Sequence, residues 1–299
     1  MQNTTNYPEL KSLIDFCKSK YQASVSPNPN CLFDYMRLQN TNDCPKCLSK
    51  YYNYLIPSNQ KDDYLKCEPI KYYYVLYNFS RYVAETYYMF HWMFDKKRFN
   101  GFPTVISVGC GPCSEAYGFY FAMKQFGYQN ERCRYFGFDL DDSWKVICDE
   151  NQNILTTNTF EYSVEYKDVF SVDNNIASTT DCVILNYMLS HMAYFNHDDC
   201  QKFSDNLVSF VLNNNISTLM YNDIPYISDD INWSYHWIDY IERELMRNGY
   251  KFTNYTFSPN FYSNKKGIKQ ISRPWPSKFE NANGSAFCKS AVFFIYKAK

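Results

Sequence analysis

Residues 104–118, TVISVGCGPCSEAYG, constrain this chain more than any other stretch. The β-branched run Thr104, Val105, Ile106 and Val108 predicts a strand, and Gly109-Cys110-Gly111 predicts a tight turn. Ser114 then opens a helix that carries Ala116, Phe119, Tyr120, Met123 and Phe126 at helical spacing. Glycines at such a turn remove the Cβ atoms and let a ligand approach the backbone, where free N–H groups and the positive end of the helix dipole meet it. The stretch is expected to be a ligand-binding turn.

The alternation begun there continues. Strands are predicted over 133–138, 162–166, 181–186 and 217–221, with helices from about Ser143, after Asn196 as cap, and from about Asn232 to Asn248 closed by Gly249. Two last strands, 251–257 and 290–296, are joined by a long loop without a helix. Five βα units and a terminal strand pair imply an α/β fold: a doubly wound, mostly parallel seven-stranded sheet whose last strand, lacking a crossover helix, runs antiparallel. A domain of this kind is expected over 100–299, behind a mainly helical, Cys-rich segment over 1–99.

In that segment, Pro8, Pro27, Pro29, Pro45 and Pro57 break residues 1–68 into short pieces, and Cys44 and Cys47 form a Cys-Pro-Lys-Cys knuckle. Two thiolates at this spacing suit a tetrahedral zinc, with Cys31 and Cys67 completing the set and Cys17 or His91 as substitutes. Unligated thiols and a redox disulfide are the alternatives. Residues 68–99 read as one long helix, aromatic nearly all round and so buried on more than one side. Arg81 and Glu85 form an i, i+4 pair on it, within reach of a cleft at the strand ends.

A net charge of −1 over 299 residues excludes a generally basic nucleic-acid binder. The start has no charged n-region followed by an apolar stretch, and no apolar run approaches membrane-spanning length. Several of the 12 Cys fall inside predicted strands and helices, which points to free thiols in a reducing compartment. A soluble, cytoplasmic protein is expected.

Ligands of doubly wound sheets lie beyond the carboxyl ends of the strands, at the switch point beside the first. Polar residues recur at those ends: Gly109 and Gly111, Asp139, Asp168, Asn186 and Asp223. An acid after the second strand suits both hydroxyls of a ribose, and Asp141 and Asp142 suit the cap of the next helix.

Over about 101–299 this pattern resembles the class I S-adenosylmethionine-dependent methyltransferases. The matching residues are VISVGCGPCSEAYG for the glycine motif, FGFDL for the ribose acid, KDVF for the acid near adenine, DCVILNYMLSH for the fourth-strand motif and SAVFFIYKAK for the antiparallel strand. The ahead-lying segment is similar to that of uncharacterised bacterial proteins with such a core. The resemblance implies S-adenosylmethionine as cofactor. Gly109, Cys110 and Gly111 would line its methionine part, Asp139 with Leu140 its ribose side, and Asp168 with Val169 its adenine. Asn186 and Tyr187 would border the transferred methyl. Cys113 stands where the family has its third glycine. A nicotinamide-dependent dehydrogenase would need glycine where Ser114 stands, and a parallel last strand.

Asp223 and His191 are the candidate bases, with a structural hydrogen bond and a turn cap as their respective bland alternatives. Lys265, Lys266, Lys269 and Arg273, in an acid-free loop over 258–278 with Phe261, Tyr262 and Trp275, suit phosphate and a stacked base. That loop makes RNA or DNA a candidate acceptor. A small molecule enclosed by the aromatic helix is another, and a non-catalytic nucleotide- or nucleic-acid-binding module on the same fold is the non-enzyme alternative.

Overall fold

The computed structural model of the chain describes residues 7–24, 67–99, 101–128, 132–195, 197–223, 234–256, 269–270, 288 and 290–297. Helix α1 (Pro8–Ser24) comes first. A long helix follows in three parts: α2 (Glu68–Tyr74), a π-helical turn (Val75–Phe79) and α3 (Ser80–Asp95). The alternating part consists of β1 (Thr104–Val108), α4 (Ser114–Gln125), β2 (Cys133–Asp139), α5 (Lys145–Leu155), β3 (Phe160–Tyr166), the short α6 (Asn174–Ser178) and β4 (Cys182–Asn186). Then come α7 (Met188–Phe195), α8 (His197–Asn213), β5 (Thr218–Asp223), α9 (Ser234–Arg247), β6 (Tyr250–Thr256), the two-residue β7 (Lys269–Gln270) and β8 (Ala291–Lys297).

The sheet has the order β3-β2-β1-β4-β5-β8-β6-β7. Strands β1 to β5 pair in parallel, and β8 inserts antiparallel between β5 and β6. This is the seven-stranded arrangement expected from the sequence, with β7 added at one edge in a segment read as pure loop. Three further details differ from the expectation. The long helix is not continuous α-helix, because its π turn accommodates an extra residue per turn. It also ends at Asp95, short of Phe99. Third, α7 fills what looked like a connection after the fourth strand, and Asn196, the expected cap, lies outside the described residues.

Side-chain alternation along each strand feeds two cores. From β1 and β4, Val105, Cys182 and Ile184 join a cluster with Leu13 of α1, Phe79 and Phe90 of the long helix, and Phe119 of α4. The intervening Ile106, Val183 and Leu185 join Leu207 of α8 and Ile238 and Ile241 of α9 on the other face. The sheet is thus covered on both sides, with the N-terminal helices sharing the first core. Among the described residues the cysteines are thiols outside any disulfide, and all but Cys67 are buried. No helix of the described residues is long and apolar enough to cross a membrane.

A carboxyl group lies beside the second core, near Tyr221. Glu242 of α9 is half-buried, and burial pushes its carboxyl up to about 7. Its folded-state pKa therefore exceeds the ordinary 4.5, so between those values the folded chain holds more protons than the unfolded one and stability falls as pH rises. Glu242→Gln is expected to add roughly 1–2 kcal/mol above pH 7, after allowance for solvent screening, and to change nothing below the unfolded pKa. Urea denaturation at both ends of the window checks this.

Candidate functional site

The carboxyl ends of β1 to β4 open into a cleft of about 910 Å³. Its floor is the glycine turn. Gly109 and Gly111 have φ of 61° and 48°, and Cys113 has φ of 62°, in the left-handed region. A non-glycine residue pays about 1–2 kcal/mol for that conformation. Cys113, standing where the resemblance has a third glycine, thus takes a backbone conformation that glycine adopts freely. The Cys113 thiol compensates by packing inside the protein, 3.8 Å from the Cys148 sulfur, with both thiols near the Gly111 carbonyl.

Asp139, at the end of β2, locks the turn in place. Its Oδ2 accepts from Gly111 N at 2.8 Å and its Oδ1 from Asp141 N at 2.9 Å. Burial raises its pKa, while these backbone donors pull the other way. The next residue, Leu140, is 80% exposed at the cleft edge. Asp141 caps the following 3₁₀ turn through Ser143 N at 2.8 Å, the capping role its position suggested. Asp168 lines the cleft, where its Oδ1 accepts from Phe170 N at 3.0 Å, and Val169 is buried beside it.

A buried polar network runs under the ends of β1, β4 and β5. Asn186 donates through Nδ2 to Ser114 Oγ at 2.9 Å and to Glu115 Oε2 at 3.2 Å, and accepts at Oδ1 from Asn222 at 2.7 Å. Glu115 also accepts from Ser107 Oγ at 2.5 Å, and burial raises its pKa. Tyr187, with φ of 57°, donates to Glu85 Oε2 at 2.9 Å, and Asn222 reaches the same oxygen at 3.2 Å. Glu85 is wholly buried, 3.9 Å from the Arg81 guanidinium. The i, i+4 pair does form, and it also reaches across to the strand ends.

The two candidate bases are placed differently. His191 is exposed on α7 and lines the cleft. Asp223 is 2% exposed, and its Oδ2 accepts from Ser190 N at 2.9 Å, which anchors the first turn of α7. Of the expected metal ligands, Cys31, Cys44 and Cys47 lie outside the described residues, and Cys67 immediately precedes α2. No group of three His, Cys, Asp or Glu suited to a metal occurs among the described residues. Lys265, Lys266 and Arg273 also lie outside them, and Lys269 belongs to β7.

Sequence reasoning missed Tyr74, Tyr82 and Trp144 as cleft residues, and Glu115 as the hub beneath it. Glu115 had a signal, a carboxylate one position into a helix that follows a glycine turn. Tyr74 and Tyr82 had none, because the run that carries them is aromatic nearly all round and no single face stands out.

No family model and no curated protein matches this sequence. Among solved structures, the chain is similar to magnesium protoporphyrin IX methyltransferase (ChlM) from Synechocystis PCC 6803 with bound SAM. The identity is 13% and the TM-score 0.45, over 73% of this chain and 80% of that one. It is also similar to the plantazolicin methyltransferase BpumL, in complex with a monoazolic desmethylPZN analog and SAH, at 10% identity and a TM-score of 0.45, over 97% of this chain and 99% of that one. With parallel strands ordered β3-β2-β1-β4-β5 and an antiparallel strand inserted before β6, the chain has the fold of the class I S-adenosylmethionine-dependent methyltransferases.

Proposed function

We propose that this protein binds S-adenosylmethionine in the cleft above Gly109-Cys110-Gly111 and transfers its methyl group to a bound acceptor. The observation that carries the reading is Asp139: a buried carboxylate at the end of β2, fixed to the glycine turn and flanked by the exposed Leu140. In this reading Asp139 accepts from the ribose hydroxyls, Leu140 and Val169 hold the adenine, and Asn186 and Tyr187 border the methyl. The glycine turn meets the methionine part.

The sulfonium brings its own leaving group. Held by the glycine turn, Asp139 and Val169, the cofactor would supply an activated methyl group, its sulfur keeping the bonding electron pair when an acceptor lone pair took the methyl. The protein's task is alignment, which is worth about 7–11 kcal/mol in well-oriented systems. The acceptor's proton leaves to a base, and His191 is the candidate exposed in the cleft. Asp223 acts one step back, by holding the start of α7.

Isothermal calorimetry with S-adenosylhomocysteine tests the reading. Saturable one-to-one binding is expected. A flat titration at millimolar ligand would leave a non-catalytic module on the same fold as the better account.

A further inference from the structure

Glu115 is a buried carboxylate with no counter-ion among the described residues. It lies in the first turn of α4 and is 1% exposed. Its Oε1 accepts from Ser107 Oγ at 2.5 Å and from the Tyr135 hydroxyl at 3.4 Å, and its Oε2 accepts from Ser114 Oγ at 3.0 Å and from Asn186 Nδ2 at 3.2 Å. Burial raises its pKa, while the Ser107, Ser114, Asn186 and backbone donors oppose that rise. A carboxylate met by this many donors, at the positive end of a helix dipole, keeps its charge.

The cations around the cleft do not pair with it. Arg81 lies 3.9 Å from Glu85, Lys71 donates to the Ser143 carbonyl at 2.9 Å, and Lys167 lies 2.7 Å from Glu165. Lys202 and His191 are exposed at the cleft edge, on α8 and α7. Asp139, at the end of β2, is likewise met by backbone N–H groups rather than by a cation. The floor of the cleft is therefore anionic beneath the glycine turn and the end of β4.

Buried charges are as a rule paired, because an uncompensated ion in a low-dielectric interior is costly. Between Glu115 and the cleft stand Ser114 and Asn186, which both line it and both donate to the same carboxylate oxygen. A cation held against those two residues completes the pair. We infer that Glu115 is the charge partner of the cofactor's sulfonium: acting through Ser114 and Asn186, it makes the site select a cationic methyl donor over its neutral product. This rests on the cofactor reading given above, in which Asn186 borders the methyl.

Calorimetry on the full chain with three ligands tests it: S-adenosylmethionine, S-adenosylhomocysteine, whose sulfur is neutral, and the S-oxide of S-adenosylhomocysteine, which carries an oxygen where the sulfonium carries its methyl. The native protein is expected to bind S-adenosylmethionine at least about tenfold more tightly than the S-oxide. Glu115→Gln, neutral and of the same shape, is expected to weaken S-adenosylmethionine at least about tenfold while S-adenosylhomocysteine changes less than about threefold. The two ligands differ only at the methylated sulfur, so a residue that merely supports the fold would move both affinities together. Equal losses for both in Glu115→Gln, or native protein that binds the S-oxide as tightly as S-adenosylmethionine, overturns the inference. If Glu115→Gln does not fold, the comparison on the native protein decides alone. Failure of S-adenosylhomocysteine to bind the native protein overturns the cofactor reading instead.

Discussion

Asp139→Ala is expected to weaken S-adenosylhomocysteine binding by at least about 100-fold. Two charge-assisted hydrogen bonds from ribose hydroxyls are worth roughly 1.5–3 kcal/mol each, and every 1.4 kcal/mol is tenfold in affinity. The same carboxylate also holds the glycine turn through Gly111 N and its own turn through Asp141 N, so the variant loses preorganisation together with direct contacts. Asp139→Asn keeps one carbonyl acceptor and should fall between the two. Calorimetry reads the affinity, and a thermal melt in parallel separates local loosening of the turn from loss of the fold. An unchanged dissociation constant in a folded Asp139→Ala protein would place the ribose elsewhere.

Gly118→Ala should destabilise the fold by about 2 kcal/mol or more. Gly118 lies in the middle of α4 where α3 crosses it. A Cβ there would come within 2.2 Å of Thr86 Oγ1, 2.7 Å of Tyr87 N and 2.9 Å of the Thr86 carbonyl carbon. Helix propensity alone favours alanine over glycine by about 1 kcal/mol, so the clash must decide the sign. Two of the three atoms are backbone, and the Thr86 hydroxyl is buried and bonded to the Tyr82 and Val83 carbonyls at 2.9 and 3.3 Å. Nothing can swing aside, and overpacking of a rigid contact costs 1–3 kcal/mol or more. Relief requires α3 to shift, carrying Tyr82 and Glu85 with it. Urea denaturation measures the effect; a stability equal to or above that of the native chain would contradict the close crossing.

The architecture was readable because its signals are local and repeat. Each strand of the parallel part ends in or just before a polar residue or a glycine, and α4 and α5 begin soon after β1 and β2. The antiparallel last strand followed from the lack of a helical pattern in the sequence between residues 257 and 290. That Gly109, Gly111, Asp139 and Asp168 line the cleft was legible for the same reason, since they sit at or just after strand ends. What escaped depends on long-range geometry. Glu85 and Asn222 are 137 positions apart and meet through a hydrogen bond that no spacing announces. Asp223 looked like a base because it ends β5, yet the added helix α7 brings Ser190 N onto it. The run over 68–99 is apolar or aromatic nearly all round, so no face, that of Tyr74 and Tyr82 included, could be singled out from periodicity.

A crystal structure of the protein with S-adenosylhomocysteine tests the central claim most directly. The account predicts both ribose hydroxyls within about 3 Å of the Asp139 carboxylate, the adenine against Leu140 and Val169, and the sulfur facing Asn186 and Tyr187. Ligand density outside the cleft, or a ribose turned away from Asp139, would contradict it.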